Sequence, residues 1–371
     1  MNRINTFSDR TSYLSREEIL NPFLVLEKVF KKYSTCEPIV DDLWELITHG
    51  HRKGYWTTYS SPKVLYLKYI QLVRIFEASL LISKIRPNYL DFEANERDYK
   101  NPDTIDKSKK SSTNIIQDAY KNLNIDNYYR GLASLKFDLS NLLYDGFQPT
   151  CHRYTVYIKE TTYDLYTVGN KIISSLFLVY QLERGLQLTP NDTKRLQAYE
   201  CNASDSNTNQ FAYSESFTEI VSEEKKEFEY KPTINYLNKV AQLLLHEKEV
   251  YNPGNILHYF DELMFFLEGF WLHYEKLKTK QKNKKWDIPR ELLDEVKYIP
   301  KDRLINPLSY LHELLEAKSL VEWRNELEEW KLEILGNEYF RDDYYRQITH
   351  LLFCLSELVG LMKHRPYKLF Y

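Results

Sequence analysis

The stretch SPKVLYLKYIQLVRIFEASLLISKIRP, residues 61–87, decides the fold. Val64, Leu65, Leu67, Ile70, Leu72, Val73, Ile75, Phe76, Leu80, Leu81 and Ile85 recur without the strict alternation of a half-buried strand, in a run far longer than a strand. Ser61-Pro62 offers a cap followed by proline at the first helical position. Arg86-Pro87 closes the run, because proline disfavours helical geometry in the residue before it. Apolar side chains surround the helix on nearly every side, so it is expected at the centre of a bundle.

Outward from this helix, the same 3.6-residue period recurs. Ser15 and Glu18 have capping-box spacing and open a helix expected to run through Leu20, Leu24 and Phe30 to about Tyr33. A second helix spans about Ile39 to His49 and stops at Gly50. Residues 88–113 are polar, carry Pro102 and read as a linker. Helices resume near Asn114 and again over Asp126–Tyr144. Tyr154, Val156 and Ile158 alternate like a strand, yet Tyr154, Ile158, Thr161, Leu165, Val168 and Ile172 also fit a helix. Continuity into Ile172–Arg184 favours one long helix ended by Gly185.

Thr189-Pro190-Asn191-Asp192 then caps a short helix to about Glu200. Residues 201–232 form an acidic polar loop of disordered character. Helices follow at about 233–251, 255–279, 287–298, 307–317, 319–335 and 338–363, with a second capping box at Ser319 and Glu322. No repeat recurs at solenoid spacing. The expectation is all-α: an irregular multi-helix bundle with two long polar loops and no regular solenoid repeat. Its segments are an N-terminal helical stretch 1–87, a linker 88–113, central long helices 114–200, the loop 201–232 and a C-terminal helical domain 233–371.

Composition agrees. In 371 residues only 10 are Gly and 13 Pro, little material for the turns of an all-β protein. With 43% hydrophobic and 28% charged residues the chain is not wholly disordered. Lys and Arg number 50 against 53 Asp and Glu, so the surface as a whole is not that of a general polyanion binder. Cys36, Cys151, Cys201 and Cys354 are too far apart for C-x-x-C chemistry and too few for a disulfide scaffold. The opening residues MNRINTFSDR lack a signal-peptide core, and the apolar runs 172–182 and 351–362 do not span a bilayer, the second being broken by Glu357. A reduced cytoplasmic protein without membrane insertion is expected.

No phosphate-binding glycine loop, dinucleotide fingerprint, zinc-protease motif or serine nucleophile elbow occurs, and no cofactor is expected. Three clusters have the residue types of chemistry. Asp42, Glu45 and His49 share one helix face, where two carboxylates and an imidazole could ligate a metal or move protons. The Glu-x-x-His spacing of helix-bundle di-iron sites is absent, and a solvated face is the plainer reading. Asp342, Arg346 and His350 form a polar stripe with Glu357, opposite the apolar face of the last helix. The Arg346/His350 pair resembles that of ribonucleases built on helical bundles, at shorter spacing, and implies a nuclease-like activity. Ordinary intrahelical pairing competes with that reading. His258 and Glu262, one turn apart among aromatic residues, suggest a buried structural pair.

The strongest candidate for touching nucleic acid is basic. Lys276, Lys278, Lys280, Lys282, Lys284 and Lys285 precede Trp286, and Lys363, Arg365 and Lys368 repeat the theme at the C-terminus; clustered cations beside aromatics suit phosphates and bases. The 31 tyrosines and 18 phenylalanines point elsewhere. Most fill a core, while those left outside suit a protein interface. The sequence therefore favours a non-enzymatic helical interaction or regulatory protein that docks to another macromolecule, a protein first, with self-association admitted. A nucleic-acid-associated factor is the alternative, and a nuclease-like or metal-dependent enzyme stands behind both.

Overall fold

A computed structural model of the chain describes residues 13–50, 61–85, 107–125, 129, 131–147, 158–182, 188–197, 199, 253–278, 296–304, 307–336 and 346–363. These residues form twelve α-helices, one 3-10 turn and no strand, so the fold is all-α. The chain divides into two compact units, residues 1–201 and 202–371.

The first unit contains α1 (Arg16–Leu20), α2 (Phe23–Phe30), α3 (Glu37–Gly50), α4 (Pro62–Ile85), α5 (Lys107–Asn122), α6 (Leu132–Phe147), α7 (Ile158–Leu182) and α8 (Pro190–Gln197). The all-round apolar helix is α4, which starts and stops where its prolines require. It touches α1, α2, α3, α6, α7 and α8. Leu65, Leu72, Val73, Ile75, Phe76, Leu81 and Ile82 are lost to solvent. Such burial stabilises the unit by about 1.5–3 kcal/mol per large apolar side chain.

Two glycines set how closely α3 and α6 approach. A Cβ at Gly50 would meet Leu142 Cδ2 at 2.3 Å and its Cα at 3.1 Å, and one at Gly146 would meet His49 Cβ at 3.1 Å. Gly50 therefore belongs to α3 and serves this crossing as well as lying near the helix end. His49, beside it, is fully buried rather than solvated.

The expected first helix is two. Asn21 leaves helical geometry (φ −145°, ψ 83°) and Pro22 follows. Proline has no N–H to donate, and its ring would clash with the carbonyl four residues back. The Ser15 box does form: the Glu18 N–H donates to Ser15 Oγ at 3.3 Å, and the Ser15 N–H donates to the Glu18 carboxylate at 3.0 Å. Helix α5 starts at Lys107, inside the stretch read as linker. Its opening turns carry Lys, Ser and Thr alone, so they show no apolar period. Residues 158–162 are helical, and 153–157 lie outside the described residues.

The second unit contains α9 (Pro253–Lys278), the 3-10 turn Lys301–Arg303, α10 (Pro307–Glu316), α11 (Leu320–Gly336) and α12 (Arg346–Lys363). Helix α9 lies against α11 and α12, α10 against α12, and α11 against α12. The Phe260 and Trp330 rings meet edge-to-face at 5.4 Å between α9 and α11. The Ser319 box closes, with the Ser319 N–H on Glu322 at 2.6 Å and the Glu322 N–H on Ser319 Oγ at 3.3 Å. Residues 296–298, expected to finish a helix over 287–298, are not helical. The acidic loop 201–232, the expected helix 233–251 and most of 287–298 lie outside the described residues.

Candidate functional site

The first unit leaves aromatic surface uncovered along the seam of α3 and α7. Helix α3 buries Ile39, Leu43, Leu46 and Ile47 and turns Glu37, Asp41 and Trp44 outward, at i, i+4 and i+7. Trp44 is 55% exposed, and its ring meets that of Tyr166 on α7 at 5.1 Å and 70°. Tyr163, one turn before Tyr166, is 71% exposed. The two helices come this close because Gly169 on α7 faces Leu43, where a Cβ would sit 2.5 Å from Leu43 Cδ2. At the other end of the seam Cys36 Sγ lies 3.7 Å from Ser174 Oγ.

By residue type Trp44 joins the apolar arc of its helix, with Ile39, Val40, Leu43 and Ile47. It sits at the edge of that arc, three residues after Asp41 and seven after Glu37, and that spacing was the available signal. Tyr163 and Tyr166 carried no signal beyond their type.

Asp42, Glu45 and His49 do not assemble as a site. Lys68 of α4 reaches both carboxylates, Asp42 at 2.8 Å and Glu45 in a short contact, while His49 is buried where α3 crosses α6. Burial alone would lower the Lys68 pKa. The two carboxylates outweigh it and hold the ammonium above its ordinary range. Both carboxylates are thus engaged by a cation of the protein itself. No group of three or more His, Cys, Asp or Glu side chains is placed to hold a metal ion among the described residues.

The polar stripe of the last helix also differs from expectation. Glu357 is fully buried, and three consecutive backbone N–H groups converge on it: Lys297 at 2.6 Å, Tyr298 at 3.0 Å and Ile299 at 2.9 Å. These amides serve the carboxylate instead of a helix, and the chain over 296–299 is non-helical and bends at Tyr298 and Ile299. The Tyr298 ring stacks on Phe353 at 4.3 Å beside this clamp.

About two turns before Glu357 on α12, His350 Nε2 lies 3.0 Å from the Tyr310 hydroxyl and 3.6 Å from Cys354 Sγ. Burial first, then the Glu357 charge, pushes the Cys354 thiol up to about 12; burial likewise takes Tyr310 to about 12. Both keep their protons at neutral pH. A protonated, buried thiol is a poor nucleophile. Arg346 begins α12, its side chain is outside the described residues, and so is Asp342.

His258 and Glu262 lie 3.9 Å apart near the surface, not in a buried pair. They occupy the solvent side of α9, whose inward face is carried by Ile256, Phe260, Leu263 and Leu267. Lys276 and Lys278 fall in the last turn of α9, and Lys363 ends α12; Lys280, Lys282, Lys284, Lys285, Trp286, Arg365 and Lys368 lie outside the described residues. No described helix is long and apolar enough to cross a membrane. No protein-family model, curated protein or solved structure matches the chain.

Proposed function

We propose that this chain is a non-catalytic helical interaction protein that docks to another protein through the α3/α7 face. The observation that carries the reading is Trp44, more than half exposed and braced edge-on by Tyr166, with the exposed Tyr163 alongside. An indole held rigid at the surface loses little conformational freedom on binding and buries a large area, which is the character of an interface anchor. Its support is also chemical. The carboxylates with the best spacing for catalysis are tied to Lys68, Glu357 is tied to backbone amides, and the Cys354 thiol beside His350 stays protonated.

The test is affinity purification of the full chain and of Trp44→Ala from the native host, each split into nuclease-treated and untreated halves. Proteins that persist after nuclease and vanish with Trp44→Ala are the expected result. Partners indifferent to Trp44, or lost with nuclease, overturn it; the latter transfers the function to the lysine run 276–285 and its Trp286.

A further inference from the structure

We propose that the α3 ridge clasps a lysine or arginine side chain of the partner protein, seated against the Trp44 ring and paired with Asp41. This rests on the docking reading above and names the chemistry of what docks. The second unit already contains such a clasp, made within the chain. There Lys318 Nζ sits 4.9 Å from the centroid of the Trp323 ring and 2.7 Å from Glu326 Oε1. The indole and the carboxylate stand three residues apart on α11, so one helix face offers a π-surface and a counter-charge to the same ammonium.

Helix α3 offers the same pair in the opposite order, Asp41 and then Trp44. Both are exposed, and Asp41 has no hydrogen bond or ion pair among the described residues. Its neighbours Asp42 and Glu45 differ, since Lys68 engages them. Glu37, one turn earlier on the ridge, adds a second exposed carboxylate; its described partner is the Thr35 hydroxyl, at 2.8 Å. Among the described exposed residues of α7 the one cation is Lys171, which already has a partner. The face is therefore aromatic and acidic.

This charge selects among occupants. A phosphate-bearing ligand would meet Glu37 and Asp41 with like charge. A second copy docked by the same patch would bring its own Glu37 and Asp41 to the same acidic surface. A basic segment meets attraction from both the ring and the carboxylates.

The test pans a displayed random-peptide library on the full chain, then measures the enriched peptides by fluorescence anisotropy against three chains: unaltered, Trp44→Ala and Asp41→Asn. The expected peptides share a Lys or Arg whose replacement by norleucine weakens binding at least tenfold. Trp44→Ala should weaken binding at least tenfold and Asp41→Asn about three- to tenfold, and the effect of Asp41→Asn should shrink as salt rises. Circular dichroism of each variant confirms an unchanged helical fold. Enrichment of acidic or uncharged peptides, binding equal in all three chains, or no enrichment at all overturns the proposal. A host protein captured through Trp44 but indifferent to Asp41→Asn overturns the cationic clasp and leaves the docking reading in place.

Discussion

Glu77 of α4 and Glu357 of α12 are carboxylates removed from water, and the two units satisfy them by different means. Glu77 takes a cation: Lys136 Nζ lies 2.7 Å from one oxygen, and the Tyr13 N–H donates to the other at 3.0 Å. Glu357 takes backbone, three successive amides in one bend of chain. The first solution joins two helices through side chains that both had to be selected. The second asks one side chain to capture a segment 60 residues away, and the segment contributes only its N–H groups. An ion pair of this kind is weak evidence for stability but costly to break from one side. An amide clamp is a charge-assisted hydrogen-bond set that fixes where the captured chain runs.

The comparison sharpens first at Lys136. Lys136→Ala leaves Glu77 buried without its cation and should cost about 3–5 kcal/mol in urea unfolding. Replacing both partners, Glu77→Leu with Lys136→Met, should recover most of that loss. A double variant as unstable as the single one would show the pair to be more than mutual compensation. Glu357→Gln comes next, at about 2–3 kcal/mol, because the new amide nitrogen turns donors toward donors. The same variant should speed hydrogen exchange at Lys297, Tyr298 and Ile299, and unchanged exchange there would remove the clamp from the account.

Ser319→Ala, a purely local cap, should cost about 0.5–2 kcal/mol and leave both buried carboxylates untouched. A melting transition unmoved by the substitution would count against the box.

Glu18 combines the two solutions, accepting from Lys28 at 2.7 Å, from Arg74 in a short contact and from the Ser15 N–H. Burial alone would raise its pKa, but these donors together hold it below the ordinary 4.5. The unfolded chain therefore binds its proton at higher pH than the folded one. The stability Glu18 contributes is complete above the ordinary carboxyl range and is lost as pH falls through the depressed folded value. Glu18→Gln should flatten that acid limb of a stability–pH profile. An identical slope in the variant would mean the carboxylate is not held by its donors in solution.

What could be read in advance follows from range. The boxes at Ser15/Glu18 and Ser319/Glu322 and the cap at Thr189/Asp192 are closed by residues three apart, so spacing alone discloses them. Helix α4 was equally plain, since apolar residues recur on nearly every side of it; the structure buries Ile75–Ile82 without a break and leaves Leu67 exposed nearer its start. Pro22 was a visible break that a continuous apolar pattern masked. The capture of 297–299 by Glu357 could not be seen, because backbone amides leave no mark in a sequence and the helical wheel placed Glu357 opposite the core. Trp44 was legible as large and apolar but not as exposed. Its fate depends on what α7 and Gly169 leave uncovered, which is tertiary information.

The same contrast separates the charges already spent inside the molecule from those left outside. Glu77, Glu357, Glu18, Asp42 and Glu45 all have partners within the chain, whereas Asp41 beside Trp44 has none among the described residues. The most direct test of the α3/α7 face as a docking surface is hydroxyl-radical footprinting of the chain, in native-host extract and after purification. Oxidation of Trp44, Tyr163 and Tyr166 should fall several-fold in extract while exposed residues elsewhere, such as Val321, react as before. Equal rates for Trp44 in both samples would contradict the account.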